Sequence, residues 1–396
     1  MKHPFLTVGT GAAVLASTLL AGGPASALSI TDPRSPIGIG TPVTVASGLF
    51  TPLSAAVTNR GTSYVSQNFA GVLTKVTAGG VSSVVASAPP GEEIGAVSTR
   101  GGTVFYAQNM QPEGRALLRA MDSAGNSRTI ADLGAYEAQA NPDQVNNYGF
   151  VDLPAECAAQ FAPDAPAGPA SYSGKVDSHP YASLALRGGI YVADAGSNSI
   201  QRVGYNGAIS TLAVLPASEP YPVSAELAAR AGYPACVAGY SYRFEPVPTD
   251  IEVGPGGWLY VTSLPGGPED ASLGARGSVY KVNPKTGAVV QVATGFVGAT
   301  GLAVSVTTGA FAVTELYGGP TGTGQVSVVA PGESTPTLSV PVAAPAAIEL
   351  RRNSLYVTTN AFVPDPVIGA PQPIGKLLQI PLVLSAGVTE DSASTE

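Results

Sequence analysis

The chain has 396 residues, of which 12% are charged, and its formal net charge at pH 7 is −8. This acidic balance argues against nucleic acid or an anionic membrane as a partner, because such binding needs clustered Lys and Arg side chains that displace counterions. Abundant glycine (48 residues) and proline (35 residues), with so few charges, indicate strands and turns rather than long amphipathic helices.

The chain begins with the pattern of a secretory signal peptide. Lys2 supplies a positive charge, residues 4–22 are apolar and small, and residues 25–27 form an A-x-A cleavage site. Cleavage is expected after Ala27, so residues 1–27 are predicted to be removed from the mature protein. The alternative is an N-terminal membrane anchor, which the glycine-rich and weakly hydrophobic stretch disfavours. The sequence therefore predicts an exported, extracellular protein with no membrane span after cleavage.

One short strand motif recurs six times along the chain. Each copy alternates in side-chain direction, follows a turn and precedes a second β-rich run that ends in a glycine turn. The copies are Tyr64–Gln67, Phe105–Gln108, Tyr191–Asp194, Tyr260–Ser263, Ala312–Glu315 and Tyr356–Thr359. Self-similarity at a period of about 40–50 residues is typical of solenoids and propellers. The sequence predicts an all-β, six-bladed β-propeller over residues 28–384, followed by a disordered acidic tail at residues 385–396.

The third repeat shows the four-stranded unit that we expect for each blade. Its strands are predicted at Tyr181–Leu186, Ile190–Asp194, Ser199–Val203 and Ile209–Val214. The last two are joined through Asn206-Gly207, a pair that favours a type I′ hairpin. Elsewhere, Pro42–Ser47 has the pattern of the last strand of a blade, but the first three strands are missing before it. Gly375–Ile380 has the pattern of a third strand, but no convincing fourth-strand pattern follows it. We expect these two to pair, so that the ring closes without exposed sheet edges.

Two intervals between repeats are too long for one blade and predict insertions at Leu133–Val176 and Pro216–Pro246. Each insertion carries one cysteine, Cys157 and Cys236, and a lone pair in an exported protein is most often a disulfide. The loop-entropy model, which ignores strain, gives an upper figure of roughly 4–5 kcal/mol for closing a loop of about 80 residues. A reactive or metal-binding thiol is the alternative, but no Cys-x-x-Cys motif or nearby histidine supports it.

The long loops are predicted to lie on one face of the propeller. In an antiparallel blade, the loop between the second and third strands and the link to the next blade meet at the same end. Both insertions are such links, and the next longest segments, Leu264–Arg276, Leu316–Gly324 and Ala361–Ile374, are second-to-third-strand loops. Because binding residues concentrate on loops held by a rigid scaffold, this face is the expected working surface. Neutral loop growth, the alternative, would scatter over both faces.

Several motifs resemble the ScyD/ScyE family of exported bacterial proteins. They are Asp132–Glu137 with Asn141–Asp143, Asp177–Tyr181, and Val192–Gly196 with Asn198. The resemblance extends over nearly the whole mature chain and implies a six-bladed propeller related to the NHL, SMP-30 and streptogramin-lyase-like propellers. It implies no catalytic residue. This chain departs from the family pattern at His179, where an asparagine is usual, at Ala182, where a glycine is usual, and at Gln67 and Ser263, where glutamates are usual.

The last residue of each recurring strand is expected to reach the mouth of the propeller on the loop-rich face. These strand-end residues are Gln67, Gln108, Asp194, Ser263, Glu315 and Thr359. With Asp177, His179 and Asp250 from the links, they predict a polar ligand-binding mouth. Ca²⁺ and Mg²⁺ take carboxylate oxygens, so Asp194 and Glu315 are candidate metal ligands. The alternative is that the aspartates cap turns by accepting bonds from backbone amides.

His179 is the candidate general base, because it is the sole histidine outside the predicted leader and histidine titrates near neutral pH. Glu315 is the second candidate for this role. Alternatively, the imidazole of His179 orders the link into its strand through a backbone bond. No serine nucleophile elbow, Walker loop, dinucleotide fingerprint or zinc-ligand pattern is present in the sequence.

Two hypotheses of function follow from these patterns. The first is a secreted, monomeric binding module for a small molecule, glycan or extracellular protein, which requires no cofactor. Its recognition surface would include the tyrosines of the insertions, a residue type favoured at interfaces: Tyr136, Tyr148, Tyr172, Tyr233, Tyr240 and Tyr242. The second is a hydrolase or lyase assisted by a central divalent cation. The fold alone cannot decide between them, because one fold hosts unrelated functions. Gln67 and Ser263 stand where glutamates are usual in the family, and this loss of possible cation ligands favours the binding module.

Overall fold

The computed structural model describes residues 29–30, 37–111, 114–161 and 168–384. The predicted leader at residues 1–27 and the predicted tail at residues 385–396 lie outside these ranges. Among the residues described, no helix has both the length and the apolar character needed to cross a membrane. Most of the described secondary structure is β, which confirms the prediction of a chain built mainly from strands and turns.

Five four-stranded antiparallel sheets, I to V, follow one another in the described chain with their strands in sequence order. Sheet I contains Ala55–Val57, Ser63–Gln67, Val72–Val76 and Ser82–Ser87. Sheet II contains Glu93–Arg100, Thr103–Met110, Arg115–Met121 and Ser127–Asp132. Sheet III contains Pro180–Leu186, Gly189–Asp194, Ser199–Val203 and Ile209–Val214. Sheet IV contains Pro248–Val253, Leu259–Ser263, Gly277–Val282 and Val289–Phe296. Sheet V contains Ala299–Val304, Phe311–Glu315, Gln325–Val329 and Leu338–Pro341.

Sheet VI joins strands from distant parts of the chain. Its strands are Ile348–Arg351, Ser354–Thr359, Gly375–Leu384, Val43–Leu49, Ile37–Ile39 and Ser29–Ile30. Val43–Leu49 pairs antiparallel with the first part of Gly375–Leu384, where Val43 lies opposite Gln379. Ile37–Ile39 pairs with the second part of the same long strand and with Ser29–Ile30. The two-stranded addition and the extension of the long strand beyond Ile380 were not predicted.

The recurring motif forms strands because it can bury both of its faces. Successive side chains of a strand point to opposite sides of the sheet. In sheet III, Ile190 and Val192 pack with Leu118 of sheet II, whereas Tyr191 and Ala193 pack into the core shared with sheet IV. The first strand of each sheet contacts the first strand of the next sheet, and the first strand of sheet VI contacts that of sheet I. Apolar cores therefore lie between neighbouring sheets.

The two predicted insertions combine into a further four-stranded sheet, the insertion sheet, which the sequence patterns did not predict. Its strands, in spatial order, are Ser171–Ser173, Asn147–Val151, Ser241–Arg243 and Tyr221–Pro222. The α-helices α1 (Leu133–Ala140), α2 (Ala155–Ala158) and α3 (Ala225–Arg230) lie in the same insertions. Short 3-10 turns occur at Asn68–Ala70, Pro142–Val145, Ala235–Val237, Pro255–Gly257 and Ala271–Leu273. Cys157 and Cys236 form a disulfide, so the predicted pairing is confirmed.

Candidate functional site

Five of the six strand-end residues bond to the link that leads into their own sheet. The pairs are Gln67 with Phe50, Gln108 with Glu92, Asp194 with His179, Ser263 with Pro246 and Glu315 with Val297. We call these contacts latches, because each ties the end of a second strand to the chain that enters the first strand. Thr359 is buried at the corresponding position of sheet VI. The repeated position thus has a repeated structural role.

Asp194 forms the most extensive latch. Its carboxylate accepts bonds from five donors: the Ser178 hydroxyl (2.6 Å), the backbone amides of His179 (2.7 Å), Gly196 (3.1 Å) and Ser197 (3.3 Å), and the Gln201 side-chain amide (3.4 Å). The residue is fully buried. Burial raises the pKa of Asp194, and the bond from Ser178 opposes this rise. The geometry favours the turn-capping alternative for this residue.

The strand-end carboxylates do not fit the Ca²⁺ or Mg²⁺ site that we considered. Glu315 is buried and accepts bonds from the Val297 amide (2.6 Å), the Gln325 side chain (2.8 Å) and the Ser327 hydroxyl. The oxygens of Asp194 and Glu315 are therefore engaged by protein donors. Across the described ranges, no group of three or more His, Cys, Asp or Glu side chains is placed to hold a metal ion.

His179 pairs with a carboxylate that the sequence patterns did not single out. Its Nε2 lies 3.1 Å from Oε2 of Glu93, the first residue of sheet II, and the two side chains are 22% and 24% exposed. Burial lowers the pKa of His179, but the hydrogen bond and charge of Glu93 outweigh it, so the pKa is raised overall. On the same link, Asp177 accepts a bond from the Gln111 side chain (3.1 Å). The link into sheet III therefore presents an imidazole–carboxylate pair.

Asp250 lies on the first strand of sheet IV, facing the space between the sheets. Its Oδ2 accepts a bond from the Leu302 amide (2.7 Å). It lines a cavity of about 20 Å³ bounded by residues of all six sheets, among them Glu252 and Glu349. Such a volume holds a water molecule rather than an organic substrate. Burial is the main cause that raises the pKa of Asp250 to about 8, and the charge of Glu349 adds to the rise. Glu349 itself forms an ion pair with Arg351 at 2.7 Å.

The tyrosines of the insertions serve mainly as packing, which corrects the expectation that they form a recognition surface. Tyr148 is buried against Tyr172, with ring centroids 5.6 Å apart. The ring of Phe150 lies 5.1 Å from those of Tyr233 and Tyr242. The remaining two are half-buried: Tyr136 exchanges hydrogen bonds with Thr211 of sheet III, and Tyr240 packs in the cluster around the disulfide. An aromatic core, and not an aromatic surface, fills this region.

The opposite side of the insertion sheet is open and polar. Side chains two residues apart share one face of a strand, so the aromatic residues at 148 and 150 occupy one face and their neighbours the other. We call this second side the outer face, and its exposed residues are Asn147, Ser171, Ser173 and Arg243. The outer face combines hydroxyl, amide and cationic groups on a rigid support.

Comparison with known proteins defines the fold. No family model matches the chain, and no curated protein matches it in sequence. Among solved structures, it is similar to a PQQ-bound aldose sugar dehydrogenase from Streptomyces coelicolor (TM-score 0.51, 12% identity, covering 88% of this chain and 98% of that one). It is also similar to virginiamycin B lyase from Staphylococcus aureus (0.47, 12%, 88% and 100%) and to a gluconolactonase from Xanthomonas campestris (0.47, 11%, 88% and 90%). The chain has a β-propeller fold.

Proposed function

We propose that this chain is an exported, ScyD/ScyE-like binding protein that holds a polar ligand, such as a glycan or a polar small molecule, on the outer face of its insertion sheet. Its scaffold is a six-bladed propeller closed by Val43–Leu49. The circular series of contacts among first strands and the pairing of Val43–Leu49 with Gly375–Leu384 support this architecture. The motifs shared with the ScyD/ScyE family and the leader pattern support the assignment of family and export.

The observation that carries the proposal is the two-sided insertion sheet. One side is fixed by the Cys157–Cys236 disulfide and the aromatic cluster around Phe150, while the outer face remains free. A surface that is rigid before binding loses little conformational entropy when a ligand binds. Asn147 and the serines can both donate and accept hydrogen bonds, and Arg243 donates several. This set of groups suits a ligand rich in hydroxyl or carboxylate groups.

The test is a glycan and polar-metabolite array probed with the mature protein, followed by titration calorimetry of the best ligand. We expect Arg243→Ala and Asn147→Ala together to weaken binding about tenfold or more, equivalent to at least about 1.4 kcal/mol. The matched control is Arg128→Ala, which removes an exposed arginine from the outermost strand of sheet II. Equal loss in the control, unchanged binding in the double variant, or no ligand at all would contradict the proposal.

A second candidate is a hydrolase or lyase, and the His179–Glu93 pair is the observation that favours it. The neutral imidazole would remove a proton from substrate or water while Glu93 stabilises the resulting cation. Because the pKa of His179 is raised, the base form and the activity should increase as pH rises above the ordinary value of 6.5. Lactone and ester substrates, tested with wild type, His179→Asn and Glu93→Gln, decide the matter: activity that both variants retain excludes this role.

A further inference from the structure

Four buried oxygens without hydrogen-bond partners lie within seven residues of the chain. They are Oε1 and Oε2 of Glu137, Oδ1 of Asn141 and Oδ1 of Asp143. In the described residues, ten buried side-chain nitrogen and oxygen atoms lack a partner, so the segment holds a large share of them. Glu137 is 0% and Asp143 is 1% exposed. Buried carboxylates are normally paired, hydrogen-bonded or bound to a metal, so this concentration needs a physical cause.

The local backbone turns these side chains toward one short stretch, residues 174–177. Helix α1 ends at Asn141, which adopts a left-handed conformation (φ 35°), and a 3-10 turn follows at once. The Asn141 side-chain amide donates to the Gly174 carbonyl (3.0 Å). Oδ1 of Asp143 stands against the same glycine, because a Cβ built on Gly174 would lie 1.9 Å from it. The Asn141 amide group and the free Oδ1 of Asp143 are thus both placed beside Gly174.

The other polar atoms of the same side chains are fixed by the protein. Oδ2 of Asp143 accepts bonds from the Asn198 side chain (2.8 Å) and the Tyr148 hydroxyl (3.2 Å). Asn141 is held through its nitrogen, as described above. Asp143 and Asn141 therefore each have one anchored atom and one free oxygen, whereas both oxygens of Glu137 are free. This arrangement is expected of ligands oriented for an ion.

The surroundings add negative charge. Burial raises the pKa of Glu137 to about 8, and the charges of Asp194, Asp143 and Asp177 add to the rise. The Asp177 amide opposes it, although its approach to the carboxylate falls short of hydrogen-bond geometry. A proton on Glu137 would remove the charge and supply one O–H donor. That donor can satisfy at most one of the other free oxygens, so protonation alone does not satisfy all four atoms.

Nearby cationic side chains have other partners. The Lys175 ammonium lies over the ring of Tyr172, and His179 is bonded to Glu93. Two carboxylates and an amide carbonyl thus lie near residues 174–177, and the two cationic side chains of this link that the structure describes, Lys175 and His179, are engaged elsewhere.

We propose that Glu137, Asn141 and Asp143 bind a Ca²⁺ ion. Carboxylate and amide oxygens are the ligands that Ca²⁺ takes, and its six to eight positions can be completed by backbone carbonyls and water. Its flexible coordination suits this mixed set better than the strict octahedron of Mg²⁺. The ion would fasten the end of α1 to residues 174–177, at the base of the insertion sheet. Its ligands are not latch residues, and the site does not depend on the ligand proposed for the outer face.

The test is a Ca²⁺ titration of the full mature protein after treatment with EDTA and dialysis, followed by calorimetry and thermal unfolding. We expect one bound ion per chain and a Ca²⁺-dependent rise in Tm. Glu137→Gln and Asp143→Asn should each weaken Ca²⁺ binding about tenfold or more, because each removes one ligand charge. Tb³⁺ used in place of Ca²⁺ should show emission excited through tyrosine, since Tyr148 bonds to Asp143.

Two matched variants locate the ion. Glu156→Gln removes an exposed acid from the same insertion, and Glu252→Gln removes an acid of the central cavity. Both should change the Ca²⁺ affinity less than about twofold. Should Glu137→Gln fail to fold, Glu137→Asp keeps the charge but shortens its reach, and weaker binding is expected. The proposal would be overturned by any of three results: no binding by wild-type protein at millimolar Ca²⁺, wild-type affinity in both Glu137→Gln and Asp143→Asn, or loss of binding only in Glu252→Gln.

Discussion

Sheets I to V and the insertion sheet are stabilised by contacts of different range. In each of sheets I to V, the strand-end side chain bonds to the link some 15 to 18 residues before it, and the pattern recurs from sheet to sheet. The insertion sheet instead joins segments far apart in sequence through one disulfide and an aromatic cluster. The comparison teaches that the polar strand-end residues of the repeat are structural. The densest group of buried oxygens without hydrogen-bond partners lies outside sheets I to VI, at residues 137–143, and so do the exposed polar groups of the outer face.

The largest effect is expected from removing a core aromatic side chain, and it should differ between the repeat sheets and the insertions. Phe296 is fully buried between sheets IV and V, so Phe296→Ala should lower the free energy of unfolding of the whole protein by about 3–5 kcal/mol. Phe150→Ala removes the same group from the insertion cluster. Here we expect faster proteolysis within the insertions and little change in the main denaturant transition. A main transition shifted equally by both variants would show that the two regions unfold as one unit.

Removal of the disulfide should also distinguish the two regions. The bond closes a loop of 79 residues in sequence, and Cys157→Ser with Cys236→Ser should cost about 2–4 kcal/mol. We expect the loss to appear as faster hydrogen exchange in the insertion sheet, while the amides of sheets I, V and VI keep their protection. The wild-type protein under reducing conditions is the control. Faster exchange throughout sheets I to VI would contradict this regional view.

A pH dependence is expected from the centre of the six sheets. The pKa of Asp250 is raised from 3.8 to about 8, so the folded state binds its proton more tightly than the unfolded state. Stability from this group is complete below pH 4 and is lost as pH rises through 8. We expect the wild type to lose about 4 kcal/mol between pH 5 and pH 8, at roughly 1.4 kcal/mol for each pH unit. Asp250→Asn should flatten this slope in denaturant titrations, whereas Glu333→Gln, at an exposed turn, should leave it unchanged.

The smallest effect compares one latch with one outer-face residue. Gln67→Ala leaves the Phe50 amide without its acceptor, and we expect a loss of about 1 kcal/mol in the free energy of unfolding. Asn147→Ala alters an exposed side chain and should change stability by less than about 0.5 kcal/mol. Measured by chemical denaturation, the loss of stability should therefore be larger for Gln67→Ala than for Asn147→Ala. A larger loss for Asn147→Ala would mean that the outer face is part of the folded core.

The sequence patterns predicted the strands of the repeats well, because alternation and turn glycines are local signals. They also predicted the pairing of Cys157 with Cys236, which is the only way for two cysteines to bond within one chain. The insertion sheet was missed, since its strands are two to five residues long and pair across distant segments. The alternation of Tyr148 and Phe150 was the available signal. The repeat period predicted that the strand-end residues occupy equivalent positions in their sheets. It could not show that the preceding link passes within hydrogen-bond distance of their side chains.

The partnership of His179 with Glu93 could not be predicted from the sequence, because His179 lies on the link into sheet III, Glu93 begins sheet II, and the two are 86 positions apart. A lone histidine can be identified as a candidate base from composition. Its partner depends on how two links approach each other, and that is a property of tertiary packing. The same reason explains why the free oxygens of Glu137 and Asp143 were not anticipated, although both residues lie in motifs that we noted.

The pairing of Val43–Leu49 with Gly375–Leu384 sets an order of events during folding. Each of sheets I to V is built from strands that are consecutive in its sheet and in the chain order, so it can form while later residues are still being synthesised. Val43 pairs with Gln379, so sheet VI can be completed only after the residues up to Gln379 have been synthesised. Until then, the edge of Ser354–Thr359 has no neighbour from Gly375–Leu384 and is open to pairing with another chain. Aggregation during production should therefore depend on how quickly the last strand arrives.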